Sequence, residues 1–363
     1  MQIDPPTHRP FQAYQEFVLA CKVQWTRSLY PEVTALYRAA AAVAPVPPKS
    51  AADVEALVGH DTTLRYFGWF ERHLQRMKYS GLYGLAHHYA ARRDALAPVL
   101  EAGNAILSLD SVMALPDYYA AVDIHQHPGG IYGDAVAGMV YERGARTTTP
   151  LLDKHGDLHH RFTTAALAKA GGRVRHIVDL GCGFGKSTKP FYAAHRDVQV
   201  VGVDLAAPCL KLAAHTAVED HAQNVRFRQA DAADTKMPAA SADMVTSTML
   251  LHEMPPSHVE KVLHEAHRLL APGGWSIHLD FRADDDPWAK YIHYGHSKRN
   301  NEPFMPPLDR MDLEAAHRRA GFDEVEIIPF EEMSGALSPD LKTWRFPWVI
   351  IAARKTPTAE KSV

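Results

Sequence analysis

The chain predicts an α/β protein whose second half is an open, doubly wound, mostly parallel sheet. From residue 174 onward, short apolar runs alternate with segments of helical periodicity. The first run closes on a turn carrying glycines at 181, 183 and 185. The second run, Val198-Gln-Val-Val-Gly-Val-Asp204, ends on an acid.

Strands fit 175–180, 198–204, 224–229, 242–248 and 275–281, each short, apolar and bounded by turn formers. Helices fit 187–195, 207–220 and 257–270. The last opens on Ser257-His-Val-Glu260, which has the form of a capping box, and stops at Ala271-Pro-Gly-Gly274. Residues 284–308 are rich in Pro, Asp and aromatics and read as an inserted cap or loop. A helix follows at 309–320, from Asp309 to the stop at Gly321, and two strands fit 323–330 and 345–354.

The first 150 residues read as a helical domain. Residues 11–42 form one long apolar-periodic stretch, broken near Pro31. A second helical region spans 51–79, and its aromatics Tyr66, Phe67, Trp69, Phe70 and Tyr79 predict a buried helix or a pocket wall. Further helices fit 85–109 and 111–121, His125-Gln-His-Pro-Gly-Gly130 is a loop, and 131–170 reads as helix, loop, helix. The boundaries expected are therefore 1–150 for the helical domain, 151–355 for the sheet domain with its 284–308 insert, and 356–363 for a disordered tail.

Composition narrows the function classes. The chain has 363 residues, 46% of them apolar, enough for a substantial core. A net charge of -3 argues against a general nucleic-acid binder. Cys21, Cys182 and Cys209 are far apart and make neither a metal spacing nor a disulfide framework, which fits a reducing cytoplasm. The sequence shows no signal-peptide pattern and no apolar run of about 18 residues, so no membrane span is expected.

The turn Val178-Asp-Leu-Gly-Cys-Gly-Phe-Gly185 lets backbone approach a ligand where side chains would block it. With an acid about 20 residues further on, it has the layout of an adenosine-binding α/β unit. A phosphate-binding P-loop needs glycine where Leu180 stands, and a dinucleotide site needs one where Lys186 stands. Asp179-Leu-Gly-Cys-Gly-Phe-Gly185 instead resembles the first motif of class I S-adenosylmethionine-dependent methyltransferases. The resemblance runs over 174–281. It includes Asp231 in Gln229-Ala-Asp-Ala-Ala-Asp234, the fourth strand Ala242-Asp-Met-Val-Thr-Ser-Thr248, and Leu269-Leu-Ala-Pro-Gly-Gly-Trp275 before the fifth. It implies a Rossmann-like sheet closed by a C-terminal antiparallel hairpin, with S-adenosylmethionine as cofactor. By that likeness Asp204 and Leu205 hold the ribose, Asp231 and Ala232 the adenine, and Asp179, Gly181, Gly183 and Thr248 complete the cofactor site. The segment upstream of the turn is a lid in the family, which brings in Tyr141 and Arg146, alongside Tyr132, Glu142 and Arg143.

Methyl transfer to a hydroxyl or ammonium requires a proton acceptor. His252, in Leu250-Leu-His-Glu-Met-Pro255, stands where small-molecule O-methyltransferases resembling this chain carry a general base, and Glu253 follows it as in that subset. The alternative for His252 is a packing or capping histidine. The other histidines, including the His155–His159 pair, His125, His127, His264 and His267, read as surface or polar-network residues, and no metal is expected. The function expected is methylation of a small molecule on oxygen or nitrogen. Alternatives are a cyclase that closes a ring within adenosylmethionine, releasing methylthioadenosine and azetidine-2-carboxylate, and a non-catalytic adenosylmethionine-binding scaffold. A small-molecule acceptor, no nucleic acid, a homodimer and a cytoplasmic location complete the expectation.

Overall fold

A computed structural model describes residues 8–146, 157–172, 174–338 and 340–357. His155 and the last residues of the expected tail lie outside that set. Eight strands form one sheet: β1 (Leu107–Ser108), β2 (His176–Leu180), β3 (Gln199–Asp204), β4 (Val225–Gln229), β5 (Ala242–Thr248), β6 (Leu270–Phe281), β7 (Phe322–Pro329) and β8 (Trp348–Lys355). Their order is β1-β4-β3-β2-β5-β6-β8-β7. Strands β1 to β6 pair in parallel, and β8 joins β6 antiparallel with β7 outside it. The doubly wound sheet and its closing hairpin are thus both present.

The helices before β2 are α1 (Arg9–Gln24), α2 (Tyr30–Val43), α3 (Ala51–Val58), α4 (Thr62–Tyr79), α5 (Leu85–Ala90), α6 (Arg93–Leu100), α7 (Asp117–Ala120), α8 (Ala137–Ala145) and α9 (Asp157–Ala170). After it come α10 (Lys189–Ala194), α11 (Ala207–Glu219), α12 (Pro256–Leu269), α13 (Pro287–Asn300), α14 (Met305–Asp309) and α15 (Leu313–Ala320).

Several local expectations are corrected. Near Pro31 the helix does not break; a π turn, Trp25–Leu29, links α1 to α2. The wider turn absorbs the backbone bond that Pro31 cannot donate. Of 111–121 only α7 is helical, and the end of 85–109 is the short edge strand β1, too brief to show any periodicity. The capping box is not made. Pro255 is the residue before α12 and Pro256 starts it, with no side-chain cap, because proline is already set in the helical φ at a first position. Helix α15 starts later than expected, at Leu313, where Asp312 accepts from the Ala315 amide. The 284–308 insert is helical, α13 and α14, with Asp286 capping α13 through the Ala289 amide.

Strand alternation divides the core between two faces. Val178, Val203, Val245 and Ile351 pack against Val259 and Leu263 of α12 and Leu313 and Ala316 of α15. Ile177, Val200, Met244, Ile277 and Ile350 belong to a cluster that continues into Trp25, Val33, Phe67, Leu74 and Phe162. The N-terminal helices and one sheet face therefore share a single apolar core. Trp25 is the hub: 1% exposed, stacked on Phe67 at 4.6 Å, edge-on to Trp344 at 5.3 Å, its indole N–H on the Phe67 carbonyl.

Helix α4 reverses the sequence expectation in part. Phe67 and Tyr79 are buried, but Tyr66 and Trp69 are exposed, while Glu71, Gln75 and Lys78 point inward. Trp25→Ala is expected to cost about 3–5 kcal/mol in denaturant unfolding. A loss below about 1 kcal/mol would mean that the helical region does not share the sheet's core.

Candidate active site

Strand order reverses around β2, which is flanked by β3 on one side and β5 on the other. At such a switch point the loops after the strands diverge and leave a crevice at their carboxyl ends. The glycine turn after β2 and the 249–254 segment after β5 form its walls. At Gly183 φ is 51°, and an added Cβ would find only Tyr141, 4.0 Å away, so the turn floor is open. At Gly181 φ is 66°, and a Cβ would strike Leu250.

Asp204 braces this turn. One carboxylate oxygen accepts the Gly183 amide at 2.8 Å and the other the Ala206 amide at 2.7 Å. The carboxylate also lines the crevice. Burial pushes the Asp204 pKa up to about 6, despite these amides. Asp231 also lines the crevice; one oxygen accepts both the Ala233 amide and His258 Nε2. Leu205, Ala232 and Thr248 are in the same wall, and Tyr141 closes over the turn, edge-on to Phe184.

Two expected cofactor residues lie elsewhere. Asp179 is fully buried below the turn and does not line the cavity. Its carboxylate accepts the hydroxyls of Ser187 and Thr188, tying β2 to the start of the following helix, and burial raises its pKa to about 7. Arg146 sits at the end of α8 and pairs with Glu142 one turn back, away from the cavity lining. Of the other lid residues, Tyr132 donates to the Ala120 carbonyl outside this cavity. Trp288 of the insert stacks on Tyr37 and belongs to the packing of the helical cap; from α13, His296 and Asn300 reach the cavity.

His252 and Glu253 form a 3-10 turn just after β5. His252 is 2% exposed, and its Nδ1 bonds Asp280 on β6 at 2.6 Å. Asp280 is held in turn by the backbone amides of Leu251 and Phe281. Burial opposes the charged imidazole, yet the charge and hydrogen bond of Asp280 outweigh it and raise the His252 pKa. The Asp280 bond fixes the ring so that Nε2 faces Glu302, 4.0 Å away.

The residue sequence reasoning missed is His125. It lies in the loop before α8, in the left-handed region at φ 55°, which few non-glycine residues adopt. One nitrogen meets Glu253 at 3.0 Å and the other Glu302 at 3.1 Å. Its ring stacks on Tyr141. Burial works against a charge on His125, but the two carboxylates raise its pKa to about 10. Burial likewise opposes Glu302, while His125, His296 and His252 hold it down to about 2. Nothing near position 125 in the sequence carries this signal; three distant segments create it. Among the described residues, no three His, Cys, Asp or Glu side chains converge as a metal site.

The arrangement suits an adenosyl ligand. Thr248 lines the crevice with a buried hydroxyl that has no hydrogen-bond partner among the described residues, and the floor above Gly183 is open. A doubly wound sheet with a nucleoside-type crevice at its switch point defines the class. Residues 177–274 match the family model described as a methyltransferase domain. That segment matches a methyltransferase domain over the stretch that holds the glycine turn, Asp204 and Asp231. The chain is 36% identical over 133 residues to a demethylmenaquinone methyltransferase of Thermus thermophilus, covering 36% of this chain and 58% of that one. It is 30% identical over 184 residues to an O-methyltransferase of Penicillium expansum, covering 49% and 62%. The chain thus spans less than two thirds of either relative. Among solved structures, a phosphoethanolamine N-methyltransferase of Haemonchus contortus with bound S-adenosylmethionine aligns at a TM-score of 0.42 and 18% identity, covering 53% of this chain and 52% of that one.

A carboxylate that accepts ribose hydroxyls must be ionised. Adenosylhomocysteine affinity measured by calorimetry is therefore expected to be flat above about pH 7 and to fall as pH drops through about 6, the raised pKa of Asp204. Asp204→Asn should bind more weakly and lose that pH dependence; an unchanged profile would remove the ribose assignment.

Proposed function

We propose that the protein methylates a hydroxyl of a small-molecule acceptor, with His252 as the group that takes the acceptor's proton. The observation that carries this reading is the buried His252–Asp280 pair in the wall of a single cavity. That cavity is lined by the glycine turn and Asp204 and also by Lys22, Lys78, Phe281, Phe346 and Trp348.

When bound, S-adenosylmethionine supplies an activated methyl group on a positive sulfur. Asp204, Leu205, Asp231, Ala232 and the glycine turn would hold its adenosyl part. Tyr141, above Gly183, would flank the ligand with its ring edge. The remaining work is the protein's: to align the acceptor, exclude water and remove a proton. Helices α1, α4 and α8 close the chamber from above. Asp280 holds His252 in one orientation and makes it more basic, with Nε2 left to accept. Glu253 and Glu302 clamp His125 beside it and keep that wall in place. In this reading residues 1–150 serve as lid and acceptor-binding domain and 151–355 as the cofactor domain.

A cavity that reaches Lys22 and Lys78 as well as the glycine turn favours a separate acceptor over ring closure within the cofactor. Mass spectrometry of products from S-adenosylmethionine, alone and with cell extract, decides between them. Adenosylhomocysteine that appears only with extract supports methyl transfer; methylthioadenosine formed without extract overturns it.

The base must be neutral to act, so kcat/KM is expected to rise with pH through the raised His252 pKa. Asp280→Asn removes what raises that pKa and should move the acid limb to lower pH while slowing turnover. His252→Asn should lower kcat about 100-fold or more with adenosylhomocysteine affinity nearly intact. Turnover that survives in His252→Asn across the pH range would exclude the base assignment.

A further inference from the structure

Helix α4 carries a polar stripe on its buried face: Glu71, Gln75 and Lys78, at helical spacing. Two of the three are satisfied. Glu71 meets Arg299, His296 and Asn300, and Gln75 donates to the His125 carbonyl at 2.8 Å. Lys78 is different. It is 2% exposed, and its amine donates to one carbonyl, Gly144, at 3.3 Å. No carboxylate lies within 4.0 Å of it among the described residues. A buried ammonium with no counter-charge is costly, and its partner is normally an anion.

Lys22, in the last turn of α1, lines the same cavity and likewise has no carboxylate within salt-bridge distance among the described residues. Glu71 and Glu302 are the nearby acids; Glu71 is taken up by Arg299 and His296, and Glu302 by His125, with His296 and His252 close by. Burial and then the charge of Lys22 lower the Lys78 pKa well below its usual value. Such a pair regains its protons when an anion arrives.

Resting on the reading of the site as a methyltransferase, we propose that Lys22 and Lys78 are the anion-binding end of the acceptor chamber, and that the acceptor is a small aromatic hydroxy-carboxylate. Phe281, Phe346 and Trp348 line the same cavity as these amines and His252; Phe281 lies 4.7 Å from the His252 ring and stacks on Phe346, an apolar bed for a planar body. Glu253 and Glu302 in the same wall disfavour a dianion, which selects a carboxylate over a phosphate. The carboxylate ties one end of the acceptor to the lysines, and its hydroxyl is then presented at His252.

The test is calorimetric titration of the full chain, saturated with adenosylhomocysteine, using para-hydroxybenzoate and its neutral isostere para-hydroxybenzamide. The carboxylate is expected to bind at least about tenfold more tightly than the amide. In Lys78→Met that preference should fall toward one, with adenosylhomocysteine affinity unchanged. Lys22→Met, a less buried site, should reduce the preference as well, and it serves if Lys78→Met fails to fold. Equal affinity for the two probes, no binding of hydroxybenzoate at millimolar concentration, or a preference that survives both substitutions would overturn the assignment. A wild-type chain that does not bind adenosylhomocysteine would instead remove the methyltransferase reading itself.

Discussion

The pairing of His125 with Glu253 and Glu302 is the interaction around which the site is organised. Each partner comes from a different part of the chain: the loop before α8, the turn after β5, and the connection after α13. All three groups are largely withdrawn from water. A buried charge that loses its partner costs several kcal/mol, so the three segments are obliged to stay together. The left-handed backbone at His125 belongs to the same constraint, since a conformation of that kind persists only where its surroundings over-determine it.

That network lines a cavity with two kinds of wall. On the sheet side, the glycine turn and Asp204 present amides, an open floor and a carboxylate, the chemistry of an adenosyl site. On the helix side lie aromatics and two amines without carboxylate partners among the described residues. His252 lines the same cavity, gripped by Asp280. The grip matters because Asp280 is itself fixed by two backbone amides. Rigid support of this kind places a side-chain nitrogen more accurately than a free loop does.

The apolar core adds the second requirement. Because Trp25, Phe67 and Phe162 share a cluster with Ile177 and Ile277, the helical region is seated on the sheet and not tethered to it. The polar stripe of α4 is tolerated in that interior where Arg299, His296, Asn300 and a backbone carbonyl satisfy it. Lys78 is the member the protein satisfies least, and it faces the chamber.

The sequence alone determined seven of the eight strands, the glycine turn and the crevice acids Asp204 and Asp231. These are local signals: short apolar runs bounded by turn formers, glycines in a tight turn, and acids at strand ends. It also marked His252. Tertiary structure decided the rest. It placed Asp179 and Arg146 outside the cavity lining, Asp179 on hydroxyls eight and nine residues on and Arg146 on a carboxylate one helical turn back. It turned the aromatics Tyr66 and Trp69 outward and the polar stripe inward, since helical periodicity reports amphipathicity and not which face meets a charged interior. It brought His125, Asp280, Glu302, Lys22 and Lys78 to one place. Those residues are far apart in the chain, and only folding sets the distances between them.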